Sequence, residues 1–438
     1  MNVVLISIDT LRSDHLSGYG YKRQTSPSLD ALAEEGALFP NFYSQCHWTI
    51  PTFTSIFTGL WPINHEMTWL NALGEIGRAD AMLDEKIPVL PELLWDAGFV
   101  TAAIDNLQAF CHFPNWFNRG YEYYINTIGR SGHGAARVTA DMVNAHLLPW
   151  IEQHHGKPFF LHVHYWDPHL PFNQPEPFDT MWMGQTDDEG LRIKTAVTGE
   201  EYVDRCGKRA DLTDAEREHV ARYDGEISYA DDRIGQFVAR LKELGVYDDT
   251  LIVVTGDHGE VMFEISPKGH HSIYEPLLRV PLILKLPGET PAVQRPEGLA
   301  QQIDIMPTIL DCAGVEPRGE MDGRSLMPLI RGEEERVHDE LYHVGNRMCG
   351  IRCRAIRTEQ WKLIVNYVGY EWAQPMSHPE AISAVPAREL FDTQKDPEEL
   401  QNLVDEHPDV AVDLERKLAR WIESNVGTYL NDPLLRRY

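Results

Sequence analysis

Short β-branched apolar runs alternate along the chain with amphipathic stretches. Residues 2–8 form a continuous apolar run of the kind found in a strand buried on both faces. Residues 28–37 predict a helix, with Leu29, Leu32 and Ala33 on one face. Another helix is expected over 87–97, followed by a strand over 99–104, and residues 159–165 predict a further strand. Residues 223–244 predict a long amphipathic helix, 251–255 the strand after it, and 280–286 one more strand. This alternation predicts an α/β fold with a large, mostly parallel sheet sandwiched by helices. Past residue 335 the texture changes: 355–365 and 389–392 predict strands and 410–425 a closing helix. A chain of 438 residues is too long for one small core. The expected division is a larger α/β domain over 1–335 and a smaller C-terminal α+β domain over 336–438. The polar stretch 174–222 is expected to cover a pocket as an insertion.

Charge narrows the partners. Lys and Arg total 39 and Asp and Glu total 67, for a net charge of −28. Such a surface repels nucleic-acid phosphates and anionic lipid heads, so neither nucleic acid nor membrane is an expected partner. A small anionic substrate is still compatible, because a metal and local cations can reverse the potential inside a pocket. Residues 1–8 lack the basic start and small-residue cleavage site of a secretory signal, and no apolar run reaches bilayer length. The expected location is cytoplasmic. The six cysteines are scattered and are expected to be reduced packing residues.

Several chemistry-bearing residues fall where a parallel sheet places its ligands, beyond the carboxyl ends of strands. Asp9 follows the first strand, and Asp257 and His258 follow the strand at 251–255, flanked by Gly256 and Gly259. Alone, Asp9 fits a helix cap equally well. The Asp-His pair offers an oxygen and a nitrogen ligand on one tight turn, a donor set suited to Mn, Zn, Fe or Ca. Thr49, followed by Pro51, stands at an expected helix start. By itself it reads as a cap, but beside a metal its hydroxyl can attack phosphorus or sulfur. His169, between Pro168 and Pro171, suits a general acid, though a lone loop histidine is more often a packing residue. Lys268, His270 and His271 gather three potential cations that suit an oxyanion site. The order of these groups, rather than any one of them, is that of a metallohydrolase.

The segment Val4-Leu5-Ile6-Ser7-Ile8-Asp9-Thr10-Leu11-Arg12, then Gly18-Tyr19-Gly20 and Thr25-Ser26-Pro27, resembles the opening of the sulfatase family of the alkaline phosphatase superfamily. The resemblance continues through Thr58-Gly59, Asp167-Pro168-His169, residues 255–260 and 274–281, and Asp322-Gly323-Arg324. It ends with Trp361-Lys362-Leu363, Glu389-Leu390-Phe391-Asp392 and Asp396-Pro397, so it spans nearly the whole chain. It implies that the larger domain is catalytic.

The departures from the family pattern bear on function. The family's Cys/Ser-x-Pro-x-Arg signature, whose first residue becomes formylglycine, aligns with Thr49-Ile50-Pro51-Thr52-Phe53-Thr54, which has no Arg. Cys46 is three positions too early to serve instead, and Asn106 stands where the family has Lys. The set Asp9, Thr49, Asp257 and His258, with Asn71 downstream, is similar to the phosphonate monoester hydrolase/phosphodiesterase branch. The resemblance implies one divalent metal ion on those four residues. It further implies Thr49, His169 and His271 in catalysis, and Asn71, Asn106 and His270 in substrate binding. A sulfo-threonine cannot eject sulfate by collapsing to an aldehyde, which favours phosphorus over sulfur. The expected activity is therefore hydrolysis of phosphodiesters or phosphonate monoesters. The alternatives are a formylglycine-free sulfuric ester hydrolase and a non-catalytic binding protein with a relic site. The apolar tail after residue 425, with Leu430, Leu434 and Leu435, packs on its own domain or on a neighbour. By analogy with that branch, a homo-oligomer is expected.

Overall fold

The computed structural model describes residues 1–67, 83–107, 116–127, 138–184, 194–195, 207–208, 213–262, 272–288, 294–346, 352–367, 386–432 and 434. A seven-stranded sheet forms its centre. In chain order the strands are β1 (Asn2–Ile8), β2 (Ala37–Leu38), β3 (Val100–Asp105), β4 (Tyr123–Asn126), β5 (Phe159–Tyr165), β6 (Thr250–Gly256) and β7 (Leu282–Lys285). Across the sheet they run β2-β7-β6-β1-β5-β3-β4. The five strands from β6 to β4 are parallel, whereas β7 is antiparallel to both β6 and β2. β1 lies between two partners and every one of its residues is buried, which accounts for its unbroken apolar run.

Side-chain alternation along the strands assigns two faces. Val4, Ile6 and Ile8 of β1, with Leu161, Val163 and Tyr165 of β5, enter the core under α1 (Pro27–Glu34), α4 (Ala140–His154) and α5 (Asp214–Glu243). Val3, Leu5 and Phe160 enter the opposite core, under α2 (Thr49–Thr58), α3 (Leu90–Asp96) and α6 (Ile305–Ala313). Ser7, His162 and His164 share this second face by the same period of two.

A separate antiparallel sheet follows, in the order β8 (Leu341–Asn346), β9 (Arg352–Arg357), β10 (Trp361–Asn366), β11 (Arg388–Asp392). Helix α7 (Pro408–Val426) packs Leu414, Leu418, Trp421 and Ile422 against it, with Trp421 stacked on Tyr342 at 4.2 Å. The sheet is tied to the rest of the chain through a bridge between Cys46 and Val344 and through Glu399, buried beside Lys362, which accepts from Glu275 N at 2.9 Å.

Three sequence expectations change. The single strand expected over 355–365 is the hairpin of β9 and β10, because Thr358, Glu359 and Gln360 turn the chain. Helix α1 stops at Glu34, and Ala37, placed in that helix by the pattern, begins a strand. Part of the expected insertion, from Asp214 onward, is the first two turns of α5. Those turns are mostly polar, so hydrophobic periodicity misses them. Their start is marked by a capping box in which Glu216 N donates to Thr213 Oγ1 and Thr213 N to Glu216 Oε2.

Candidate active site

Parallel pairing brings the first two acids together. Ile8 of β1 is in register with Gly256 of β6, so the next residues, Asp9 and Asp257, emerge side by side. The chain after Asp9 turns sharply: Thr10 has φ of +53°, in the left-handed region unfavourable for a β-branched residue. That turn aims Thr10 N at Asp257 Oδ1, 3.0 Å away. Tyr223 of α5 supports it, donating to Thr10 O and accepting from Arg12 N. On the other side, Gln302 Nε2 donates to the carbonyls of Gly256 and Asp257. Gly259 is required by space, because a Cβ there would meet Pro276 O at 1.9 Å.

The donor atoms converge. Asp9, Asp257 and His258 are buried, and a ligand atom from each lies within 4.8 Å of the others. Among the described residues, neither oxygen of Asp9 has a hydrogen-bond partner, and neither does Asp257 Oδ2. Unpaired carboxylate oxygens packed together in a protein interior are costly, and a cation between them removes that cost. The donors therefore fit a divalent ion. His258 Nδ1 is 2.9 Å from Gly259 O, which can only accept. Nδ1 thus carries the proton and Nε2 presents its lone pair to the cluster. Burial and the charge of Asp9 raise Asp257 above the ordinary carboxylate range. For Asp9, burial also acts upward. His169, His164 and His258 outweigh it and lower the group to about 2.

Thr49 is the first residue of α2, and its Oγ1 lies 3.3 Å from His258 Nε2. The helix start places unsatisfied N–H groups and the positive end of the dipole around the same point. Cys46, the other residue considered for a modified nucleophile, packs into the core of the C-terminal sheet and α7 instead. His169 follows β5 on a loop, and its Nδ1 is 2.6 Å from Leu170 O, which can only accept, so Nδ1 carries a proton. Its ring lies 4.2 Å from that of Trp166. The loop is held from α5 by Glu226, whose Oε1 accepts from Asn173 N and from Gln174 N at 3.1 Å. Asn106, buried, directly follows β3 on the same edge of the sheet. Asn71, Lys268, His270 and His271 lie outside the described residues.

Sequence reasoning missed the polar neighbours of Asp9 on β1 and β5. Ser7 Oγ is 2.9 Å from both His162 Nε2 and His164 Nδ1, and His164 Nε2 is 3.5 Å from Asp9 Oδ2. The signal was present: two histidines at a spacing of two interrupt an otherwise apolar strand.

Comparison with known proteins places the chain in a family. A family model described as Sulfatase matches residues 1–315, and one described as N-sulphoglucosamine sulphohydrolase, C-terminal, matches residues 269–424. The multifunctional alkaline phosphatase superfamily protein PehA of Trinickia caryophylli is 28% identical over 410 residues, covering 78% of this chain and 79% of its own. An arylsulfatase of Clostridium perfringens is 24% identical over 457 residues, covering 92% and 90%. The fold is similar to that of a phosphonate monoester hydrolase of Agrobacterium radiobacter, with a TM-score of 0.75 and 22% identity over 97% of this chain and 96% of that one.

Proposed function

The chain belongs to the sulfatase family of the alkaline phosphatase superfamily, and from that premise we propose that it hydrolyses phosphodiesters or phosphonate monoesters with Thr49 as nucleophile. The observation that carries the proposal is the position of a hydroxyl, Thr49 Oγ1, at the first turn of α2 and 3.3 Å from the imidazole of the Asp9–Asp257–His258 cluster. A divalent cation held by those three side chains and Thr49 would lower the hydroxyl's pKa and neutralise a phosphoryl oxygen.

The remaining steps belong to the chain itself. The N–H groups at the start of α2 orient the anionic ester. Thr49 Oγ1 gives up its proton to solvent and bonds to phosphorus, and the bond to the leaving oxygen breaks in line. His169 protonates that oxygen through Nε2. Water then cleaves the phospho-threonine. Asn106 would bind the substrate. On the strength of the sequence alone, Asn71, His270 and His271 are assigned to its phosphoryl oxygens.

Sulfate esters are the rival substrates, since curated relatives include an arylsulfatase. A panel of aryl phosphodiesters, phosphonates, phosphate monoesters and sulfates separates the two readings. The phosphorus diesters and phosphonates should exceed the sulfates in kcat/KM by about tenfold or more. A preference for sulfate esters would overturn the proposal and require another route for sulfate release. A relic binding protein would turn over none of them. The unpaired carboxylates speak against that reading, because a site without its cation has no compensation for keeping them.

The proposal extends to assembly as a homo-oligomer through the C-terminal tail. Part of the tail packs on its own domain, with Leu434 buried and Asp432 paired to the buried Arg354 at 2.5 Å. Leu430, by contrast, is 78% exposed. In light scattering the unaltered protein should be an oligomer, and Leu430→Glu, which spares the Arg354 pair, should shift it toward monomer. A monomeric unaltered protein would remove this part of the proposal.

A further inference from the structure

We propose that the buried chain His162–Ser7–His164 is a positioning device that turns Asp9 toward the cation. The inference rests on the metal-site reading above. Ser7 of β1 pairs with His164 of β5, and His162 lies two residues earlier on the same face. All three residues are fully buried in a core that is otherwise apolar and aromatic. The ring of Phe53 lies 5.6 Å from that of His162 and 5.2 Å from that of His164, while Phe57 lies 5.1 Å from His162. Both imidazoles are thus wedged between the sheet and α2, the helix that carries Thr49. A change of their orientation would require repacking that helix.

The hydrogen bonds assign the protons. Ser7 Oγ has one hydrogen and stands 2.9 Å from both His162 Nε2 and His164 Nδ1, while Val163 O, its other acceptor, lies farther away at 3.4 Å; with that hydrogen on the nearer partner, one imidazole donates to Ser7 and the other accepts. If His164 donated through Nδ1, its neutral ring would present the lone pair of Nε2 to the Asp9 carboxylate 3.5 Å away. Two electron-rich groups would then face each other without water between them. The opposite order avoids this repulsion. His162 Nε2–H donates to Ser7, Ser7 donates to His164 Nδ1, and His164 Nε2–H points at Asp9 Oδ2. Among the described residues, His164 Nε2 has no other hydrogen-bond partner, and no other donor fixes either oxygen of Asp9. His164 does not belong to the three-residue ligand group, so it acts on the cation through Asp9. A donor behind a ligating carboxylate restricts its rotation and sets which oxygen faces the metal. Loss of such a partner costs about 10–100-fold in metal affinity.

Two amide substitutions separate the two ring nitrogens. In His164→Asn the amide can reach only the Nδ1 position and keeps the bond to Ser7. In His164→Gln it can reach the Nε2 position and restores a donor toward Asp9. Metal-stripped protein is titrated with Mn²⁺ and with Zn²⁺ in competition with a chelator. His164→Asn should bind each ion about 10–100-fold more weakly than the unaltered protein, and His164→Gln should recover to within about threefold of it. Ser7→Ala, which releases the tautomer without removing the ring, should fall between them. Unaltered affinity in His164→Asn would overturn the inference. Equal weakening in the Asn and Gln variants would also overturn it, because a merely structural role does not distinguish the two nitrogens. The test separates this inference from the one beneath it. If the unaltered protein takes up no stoichiometric ion, the metal site itself fails. If Asp257→Asn loses the ion while His164→Asn keeps it, only the relay fails.

Discussion

Thr49→Ala should lose about three orders of magnitude or more in kcat, the scale on which removal of a covalent nucleophile is felt. Asp9, Asp257 and His258 all persist in that variant, so it should still bind its cation, though without the hydroxyl as a fourth ligand. Thr49→Ser keeps a hydroxyl at the first turn of α2 and should retain most of the activity. Mass spectrometry of the peptide containing Thr49 should give the encoded mass in resting protein and the mass of a phosphoryl adduct after a rapid quench with substrate. Near-normal turnover in Thr49→Ala would transfer the role to water. Cys46 is a poor substitute in that event, because it is buried in the C-terminal core and bridged to Val344.

Asp257→Asn should abolish stoichiometric metal binding while leaving the local fold in place. Asp257 Oδ1 accepts from Thr10 N at 3.0 Å and from His258 N at 2.7 Å, and the amide oxygen of Asn can accept both bonds. What the substitution removes is the negative charge and the carboxylate oxygen Oδ2, 3.5 Å from His258 Nε2. Metal analysis after dialysis should show the ion in the unaltered protein and its loss in the variant. Activity should fall by more than the roughly 10–100-fold that loss of a residue behind a metal ligand costs. Thermal unfolding supplies a second measurement with a defined sign. Added cation stabilises the protein that binds it, by about 2.7 kcal/mol at 100 times its Kd, so Tm should rise for the unaltered chain and stay flat for Asp257→Asn. In the metal-free state the order reverses. Without an ion, Asp257 is raised by burial and by Asp9, so removing its charge relieves repulsion and should make the variant at least as stable as the unaltered chain. Full metal content in Asp257→Asn would sink the site assignment.

The two experiments test different parts of one arrangement. Thr49 reaches the centre from a helix start, whereas Asp9 and Asp257 reach it from adjacent parallel strands. Loss of activity with metal retained in the first variant, and loss of both in the second, is the pattern expected of a nucleophile standing on a metal centre.

Much of this was legible in the sequence, for identifiable reasons. β1 and β6 announced themselves as apolar runs because a strand buried on both faces cannot alternate. Asp9, Thr49, Asp257, His258 and His169 were legible because they stand just past strand ends or at a helix start, positions marked by Gly, Pro and the end of an apolar run. The polar opening turns of α5 were not read from periodicity, which reports burial rather than helicity; the Thr213/Glu216 capping box carried that information. The β9–β10 hairpin was blurred into one strand because its turn, Thr358-Glu359-Gln360, contains neither Gly nor Pro.

By itself, then, the sequence determined the alternating α/β plan and the separate groups proposed to bear the chemistry, because strand burial, turn residues and motif spacing are local properties of a chain. Only the tertiary structure decided which of those groups meet. The pairing of Ile8 with Gly256 places Asp9 beside Asp257, and that of Ser7 with His164 builds the relay behind Asp9. The packing of α2 on that same face delivers Thr49 to His258. Register between strands some 150 and 250 residues apart is set by the packing of both sheet faces at once, and no local stretch of sequence encodes it.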